Sequence, residues 1–218
     1  MAAREERALR DQLVAVCRRL AALDLIGAGE GNVSCRLGRG RLLVTPSGVA
    51  KAALRPADLL VVSEAGEKLR GRGRPTSELP MHLAAYAARP DAEAVVHAHP
   101  ITAVALTVAG APPPDALLPE AAVVLGPLAL APFATPGTGE VPASITPLLP
   151  AHDVILLERH GALALGRTLG EAADRMEILE RVARVAFQAR LLGRCEPLPP
   201  AAVDKVLAAA RKAGLSSR

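Results

Sequence analysis

Aromatic side chains are almost missing from this sequence. Its 218 residues include no tryptophan, one tyrosine and two phenylalanines, although half of the residues are hydrophobic. A sizeable core is therefore available, and it must be built from leucine, valine, isoleucine and alanine. Single-stranded nucleic-acid binders stack bases on aromatic rings, and the 26 basic residues form no cluster. We therefore expect no nucleic-acid partner.

Cysteines and long apolar runs are also scarce. Cys17, Cys35 and Cys195 are widely spaced and form no CxxC pair, which favours reduced thiols and a cytoplasmic location. Residues 1–7 are charged and lack the apolar centre of a signal peptide. No segment offers the roughly 20 predominantly apolar residues that a membrane-spanning helix needs, so we expect no membrane partner.

Hydrophobic periodicity predicts alternating short strands and helices. Helical spacing predicts a helix over 4–22, and the glycines around Arg39 predict a hairpin between strands 33–37 and 42–45. Hairpins and consecutive strands indicate an α/β fold with a largely antiparallel sheet covered by helices. Further strands are predicted over 59–63, 94–99, 128–133, 154–158 and 162–165, and further helices over 77–88, 101–108, 139–149, 169–192 and 201–213.

Histidines at three positions give the strongest chemical signal. His97 and His99 follow the apolar residues 94–96, and side chains two positions apart on a strand share a face. His160 follows another apolar run, and Glu78 begins a predicted helix. Three imidazoles with a carboxylate predict a catalytic zinc site that has an open coordination position and an acid/base beside it.

The alternative is that these histidines are core residues whose ring nitrogens bond to the backbone. A lone histidine on an apolar strand is more often of that kind, but the repetition at a third position favours the metal site. His82, on the predicted helix after Glu78, and His152, in a polar turn, show no such repetition. Neither is predicted to bind metal.

Three segments, 29–32, 45–48 and 76–77, are rich in glycine or in small hydroxyl or amide side chains. Their backbone N–H groups are free of bulk, and the helix that starts near Ser77 adds a favourable dipole, so together they could hold a phosphate. Each alone would be an ordinary turn, with Thr76 or Ser77 as the helix N-cap. The candidate phosphate-binding residues are Gly31, Asn32, Ser47, Gly48, Thr76 and Ser77.

Short motifs occur in a recognisable order along the chain. They are GNVS at 31–34, TPSG at 45–48, TSE at 76–78, MHLAAY at 81–86, RPD at 89–91, AVVHAH at 94–99 and HG at 160–161. In this order they resemble the class II aldolase/adducin family, with L-fuculose-phosphate aldolases as the most similar members. The resemblance spans about residues 8–195. It implies a single domain over 1–218 with a C-terminal helical tail at 196–218.

The family resemblance also implies a fold, an assembly and residue roles. The implied fold has three layers, α/β/α, around a largely antiparallel sheet, and the implied assembly is a homotetramer. His97, His99 and His160 correspond to the zinc ligands and Glu78 to the acid/base. The candidate phosphate-binding residues other than Gly31 correspond to positions that hold the substrate phosphate. The implied activity is that of a zinc-dependent aldolase that cleaves or forms a C–C bond of a small phosphorylated sugar through a metal-bound enediolate.

Three departures from the family pattern keep other activities open. Gly29 replaces a threonine of the phosphate site, Glu30 adds a negative charge close to it, and Leu118 lies near where a partner subunit's tyrosine is expected. The alternatives are a metal-dependent decarboxylase, epimerase or dehydratase of a sugar-acid or ketose phosphate, or a non-enzymatic adducin-head-like binding module. Glu78 favours an aldolase or a decarboxylase, because the related epimerases usually carry aspartate there.

Overall fold

The structure is a computed structural model that describes residues 2–215. Within this range it contains eight strands and six α-helices. The strands are β1 (Asn32–Gly38), β2 (Arg41–Val44), β3 (Leu60–Ser63), β4 (Lys68–Arg70), β5 (Ala94–Ala98), β6 (Ala129–Ala131), β7 (Val154–Leu157) and β8 (Gly161–Gly166). The α-helices are α1 (Ala2–Ala22), α2 (Leu79–Ala88), α3 (Ile101–Val108), α4 (Glu140–Ile145), α5 (Leu169–Leu191) and α6 (Pro200–Lys212).

The eight strands form one sheet in the order β4-β3-β2-β1-β5-β8-β7-β6. Neighbouring strands are antiparallel except for the parallel pair β6 and β7. The predicted α/β class with a largely antiparallel sheet is therefore confirmed. In the predicted hairpin between β1 and β2, Gly38, Arg39 and Gly40 all have positive φ angles, of 76°, 55° and 68°. Glycine reaches this region without steric cost, which explains the turn.

Side-chain alternation along the strands divides the hydrophobic core into two layers. In β5, Ala94 and Val96 join the layer that packs against α1 and α5, whereas Val95 joins the layer that packs against α2 and α4. Helices thus cover both faces of the sheet, and the α/β/α arrangement is confirmed. Leucine, valine and alanine fill both layers, as the scarcity of aromatics required.

Some element boundaries differ from the predictions. The strand predicted over 128–133 is limited to Ala129–Ala131, and the helix predicted over 139–149 is limited to Glu140–Ile145. Strand β4 was not predicted, because all three of its residues are exposed and so show no alternation of burial. It forms by pairing with β3. A π-helical segment, Ala121–Leu125, was also not predicted.

The strand register brings distant residues together at the centre of the sheet. Asn32 of β1 lies opposite His97 of β5, and His97 lies opposite Leu163 of β8 on its other side. His97 shares its face with Val95, and that face packs against α2. The end of β5 therefore lies close to the start of α2, where Glu78 precedes the first helical residue. None of the helices found between residues 2 and 215 is long and apolar enough to cross a membrane.

Candidate metal centre and active site

Three imidazoles converge at one end of the sheet. His97 is in β5, His99 follows that strand, and His160 is in the turn between β7 and β8. Their ring centroids are 4.8 to 5.2 Å apart, and one nitrogen of each ring lies within 4.8 Å of the others. The structure thus brings together the three histidines that the sequence suggested as metal ligands.

Hydrogen bonds at the far ring nitrogens orient two of these imidazoles. His97 Nδ1 donates to the carbonyl of Ala162 at 3.0 Å, which turns its Nε2 towards the cluster, 3.1 Å from Nε2 of His99. Nδ1 of His99 lies 3.5 Å from Oε2 of Glu30. Contacts of this kind fix the tautomer and orientation of metal-binding histidines. The Glu30 carboxylate therefore lies beside His99, where its negative charge would favour a cation.

The protonation state of the cluster suits a metal. Burial, together with repulsion from His97, lowers the pKa of His160 to about 4. The same two causes lower the pKa of His99. These two imidazoles are therefore neutral near pH 7, and the neutral form is the one that binds metal. The donor set fits zinc, which accepts three imidazole nitrogens in catalytic sites.

Glu78 faces the histidine cluster from the start of α2. Its Oε2 lies 3.2 Å from His97 Nε2, and its Oε1 lies 3.3 Å from His160 Nε2. Within the described chain, Oε1 is the buried side-chain atom that has no hydrogen-bond partner. Burial opposes ionisation, but contacts with His97 and Asn32 outweigh it and hold the pKa of Glu78 well below its usual range. The carboxylate is therefore ionised, and a cation or a proton would satisfy the unpaired lone pairs of Oε1.

The N-cap of α2 differs from the prediction. Glu78 itself is the N-cap residue, and the helix begins at Leu79 rather than at Ser77. The hydroxyl of Thr76 accepts a hydrogen bond from the Glu78 backbone N–H at 3.2 Å. This local turn holds residues 76–78 outside the helix, and Pro80 occupies the first turn, where a missing N–H is tolerated. The turn and the proline together hold the Glu78 backbone beside the cluster.

The candidate phosphate-binding loops lie side by side. The Thr76 N–H donates to the Thr45 carbonyl at 3.1 Å, and the Ser47 N–H donates to the Arg74 carbonyl at 2.9 Å. Ser47, Gly48 and Ser77 are exposed, whereas Thr76 is buried. The hydroxyl groups of Ser47 and Ser77 thus remain accessible to a ligand, but the backbone N–H of Ser47 is already used.

Two other candidates from these loops have structural tasks beside the metal centre. Gly31 has a φ angle of 64°, and a Cβ there would lie 2.3 Å from Ile26 Cγ2 and 3.0 Å from the His97 carbonyl oxygen. Only glycine allows the loop to approach β5 this closely. The Asn32 side chain is buried and donates to Glu78 Oε2 at 2.8 Å. Its amide group therefore contacts the candidate acid/base, an interaction that the sequence did not indicate.

Lys51 was not predicted to belong to this region. It is only 2% exposed, and its Nζ donates to the carbonyls of Val49 at 2.9 Å and Gly29 at 3.3 Å. Burial lowers its pKa. The Lys51 side chain therefore links the loop that contains Gly29 to the loop that contains Ser47. Its ammonium group adds a buried positive charge beside both loops. A single lysine between alanines carries no pattern in the sequence, so this role was visible only in the structure.

Gly161 lies against the histidine rings. A Cβ there would lie 2.4 Å from the Ala98 carbonyl oxygen, 2.8 Å from His99 Cδ2 and 3.0 Å from His97 Cε1. We expect Gly161→Ala to displace these rings and to lower zinc affinity about 10–100-fold, the usual effect of disturbing the support of a metal ligand. Competition with a chelator measures the affinity. Gly170→Ala is the matched control, because its nearest contact would be Thr168 Oγ1 at 3.8 Å. Equal affinities in the two variants would contradict the expectation.

The sequence is similar to those of known proteins. The sequence profile of the class II aldolase and adducin N-terminal domain matches residues 11–187. A 5-methylthioribulose-1-phosphate/5-deoxyribulose-1-phosphate aldolase of Rhodospirillum rubrum is 34% identical over 92% of this chain and 90% of its own length. A 3-oxo-tetronate 4-phosphate decarboxylase of Escherichia coli is 32% identical over 85% of this chain and 89% of its own length.

A solved structure extends the likeness to the fold. The L-fuculose-1-phosphate aldolase of Thermus thermophilus superimposes with a TM-score of 0.77 and 34% identity over 88% of this chain and 98% of its own. The profile match covers most of the chain, including all three clustered histidines and Glu78. The expected family is therefore confirmed: the chain belongs to the class II aldolase and adducin family.

Proposed function

We propose that the protein is a zinc-dependent lyase, an aldolase that cleaves or forms a C–C bond of a small phosphorylated sugar. One observation carries the proposal. The Glu78 carboxylate oxygens lie 3.2 and 3.3 Å from Nε2 atoms of two converging histidines. A carboxylate at that distance can move a proton on a substrate that the histidine-bound metal holds. Three imidazole ligands favour zinc, although manganese or cobalt could also bind.

Zinc, when held by His97, His99 and His160, would act as a Lewis acid and stabilise negative charge that develops on substrate oxygens. Glu78 would remove the proton from the carbon beside the substrate carbonyl in synthesis and return it in cleavage. Its ionised state suits the first of these steps. Its position at the N-cap of a helix holds the carboxylate in one place. A base that is already in the reactive geometry lowers the activation free energy of proton transfer, because less conformational entropy is lost in reaching that geometry.

A phosphate group would bind at the loops beside Glu78. The accessible hydroxyls of Ser47 and Ser77 offer donors, and the buried Lys51 adds a positive charge below the loops. Gly29, which replaces the family's threonine, removes one donor, and Lys51 offsets part of this loss. The Rhodospirillum rubrum relative is named for phosphorylated pentulose substrates, which supports the same chemical class here.

A decarboxylase of a 3-oxo acid phosphate is the second candidate. The Escherichia coli relative carries that name at nearly the same identity as the aldolase relative. Loss of CO2 leaves negative charge on the same substrate oxygens, so the same metal would stabilise it. Decarboxylation needs no base to begin, but it ends with proton delivery to carbon, and the ionised Glu78 would take that proton from a water molecule and pass it on.

A substrate screen of the zinc-loaded protein separates the two activities. Phosphorylated ketoses and 3-oxo acid phosphates would be supplied one at a time, with aldehyde release and CO2 release followed separately. Aldehyde release that is lost after a chelator has removed the metal supports the aldolase activity. Release of CO2 alone supports the decarboxylase activity instead. Activity that persists after the metal has been removed contradicts both metal-dependent activities.

We also propose that the protein is a cytoplasmic homotetramer. The family resemblance implies the assembly. Exposed apolar side chains near the end of α5, among them Phe187 and Leu191, provide a surface that a neighbouring subunit could bury. The three cysteines are free thiols, which agrees with a reducing compartment. We expect light scattering to report about four times the mass of one chain, and a monomer at micromolar concentration would contradict the tetramer.

A further inference from the structure

A buried chain of hydrogen bonds extends behind Glu78. Asn32 Nδ2 donates to Glu78 Oε2 at 2.8 Å, and Asn32 Oδ1 lies 2.5 Å from His82 Nε2. His82 Nδ1 lies 2.6 Å from Ser34 Oγ, which lies 2.8 Å from the Tyr86 hydroxyl. Apart from Glu78, each of these residues is at most 4% exposed. The metal site and the phosphate loops make no use of His82.

The two elements that hold this chain have matching spacings. Asn32 and Ser34 are two positions apart on β1 and so point to the same face, and His82 and Tyr86 are four positions apart on α2 and so share one side of the helix. The four side chains therefore alternate between strand and helix. Because all four are enclosed, every hydrogen bond lost would leave an unsatisfied buried polar group, which is unfavourable.

The direction of every bond in the chain follows from Glu78. A carboxylate only accepts hydrogen bonds, so Asn32 must turn its NH2 group towards it and its carbonyl oxygen towards His82. His82 must then carry its proton on Nε2 and donate it to Asn32. Burial, with repulsion from His97 as a second cause, lowers the pKa of His82 to about 3, so the imidazole is neutral. Its Nδ1 therefore accepts from Ser34, and Ser34 accepts from Tyr86.

We propose that His82 is a positioning residue for proton transfer at Glu78. Its Nε2–H tautomer would hold the Asn32 amide with the NH2 group towards the carboxylate. If the amide turned over, its carbonyl oxygen would face the carboxylate, and the repulsion would move Glu78 away from the histidine cluster. The inference rests on the proposed role of Glu78. It adds that this role depends on a side chain that contacts neither metal nor substrate.

Substitution of His82 tests the dependence. In zinc-loaded His82→Leu, which removes the donor to Asn32, we expect kcat to fall roughly 10–100-fold, the range for partners that orient active-site groups. The change in KM should be smaller, because the metal and phosphate contacts are intact. His82→Gln places an amide N–H where Nε2–H was and should restore part of kcat. An unchanged kcat in a folded, zinc-loaded His82→Leu overturns the proposal.

Ala85→Gly controls for a general loosening of α2. Ala85 is fully buried on the same helix, and glycine there destabilises the helix without removing any member of the hydrogen-bond chain. If Ala85→Gly lost as much kcat as His82→Leu at equal stability, the effect would come from loosening and the proposal would be wrong. A preserved kcat supports it.

Nitrogen-15 NMR of histidine-labelled protein provides a readout that needs no turnover. We expect His82 to be neutral and protonated at Nε2, and we expect Ser34→Ala to keep this tautomer, because the Asn32 carbonyl oxygen still accepts from Nε2. A wild-type Nδ1–H tautomer overturns the proposal even if His82→Leu cannot be folded. Failure of the proposed function looks different, because the wild-type protein would then convert no ketose phosphate or 3-oxo acid phosphate while the His82 tautomer stayed as expected.

Discussion

Replacement of Glu78 by glutamine is expected to lower turnover by about 10²–10⁴-fold, the usual contribution of a positioned proton-transfer group. Glutamine keeps the size of the side chain and one carbonyl oxygen for the Asn32 amide, but it cannot take a proton. The proposed zinc ligands are three other side chains, so the variant should retain its metal. A loss of both turnover and metal would show that Glu78 is a metal ligand.

Hydrogen exchange isolates the proton-transfer step. A donor ketose phosphate is incubated in D2O, and NMR follows replacement of the proton on the carbon beside the carbonyl. The wild-type protein should exchange it, and Glu78→Gln should exchange it slower by the same factor while still binding a hydroxamate mimic. Glu67→Gln serves as the matched control, because Glu67 is an exposed carboxylate in the turn between β3 and β4. Normal exchange in Glu78→Gln would mean that another group takes the proton.

The histidine cluster is expected to bind about one zinc per chain, and His97→Ala and His160→Ala should each weaken that binding by more than tenfold. Loss of a residue that only supports a ligand costs about 10–100-fold, so loss of the ligand itself should cost at least as much. Of the two variants, His160→Ala is the cleaner test of metal binding. His97 is fully buried and bonded to Ala162, so its removal also leaves a carbonyl unsatisfied.

Elemental analysis of untagged protein, before and after exposure to a chelator, measures the zinc content. His152→Ala is the matched control, because His152 lies outside the cluster and donates from Nδ1 to the Pro127 carbonyl. We expect this variant to bind zinc like the wild type. Full occupancy in His160→Ala would contradict the ligand assignment, and equal losses in all three variants would point to a general effect on folding.

Local patterns in the sequence were sufficient for part of the fold and of the site. The two-residue period of a strand predicted that His97 and His99 lie together, and their rings do converge although β5 ends at Ala98. Helical spacing predicted α1 and α5 to within a few residues. Such periodicities depend only on neighbouring backbone geometry, so a linear sequence carries them. Strand β4 lacked that pattern, since it is exposed along its length and exists through its pairing with β3.

The surroundings of the site separate what the sequence alone determined from what only the tertiary structure decided, as seen at Asn32, Lys51 and His82. The sequence determined the residue types, the strand and helix periods, and so the candidate ligands and acid/base. Tertiary structure decided the partners: β1 pairs with β5 so that Asn32 lies opposite His97, and α2 packs on that face so that His82 reaches Asn32. These partners are up to 65 positions apart in sequence. Their meeting depends on strand register and layer packing, which no local pattern encodes.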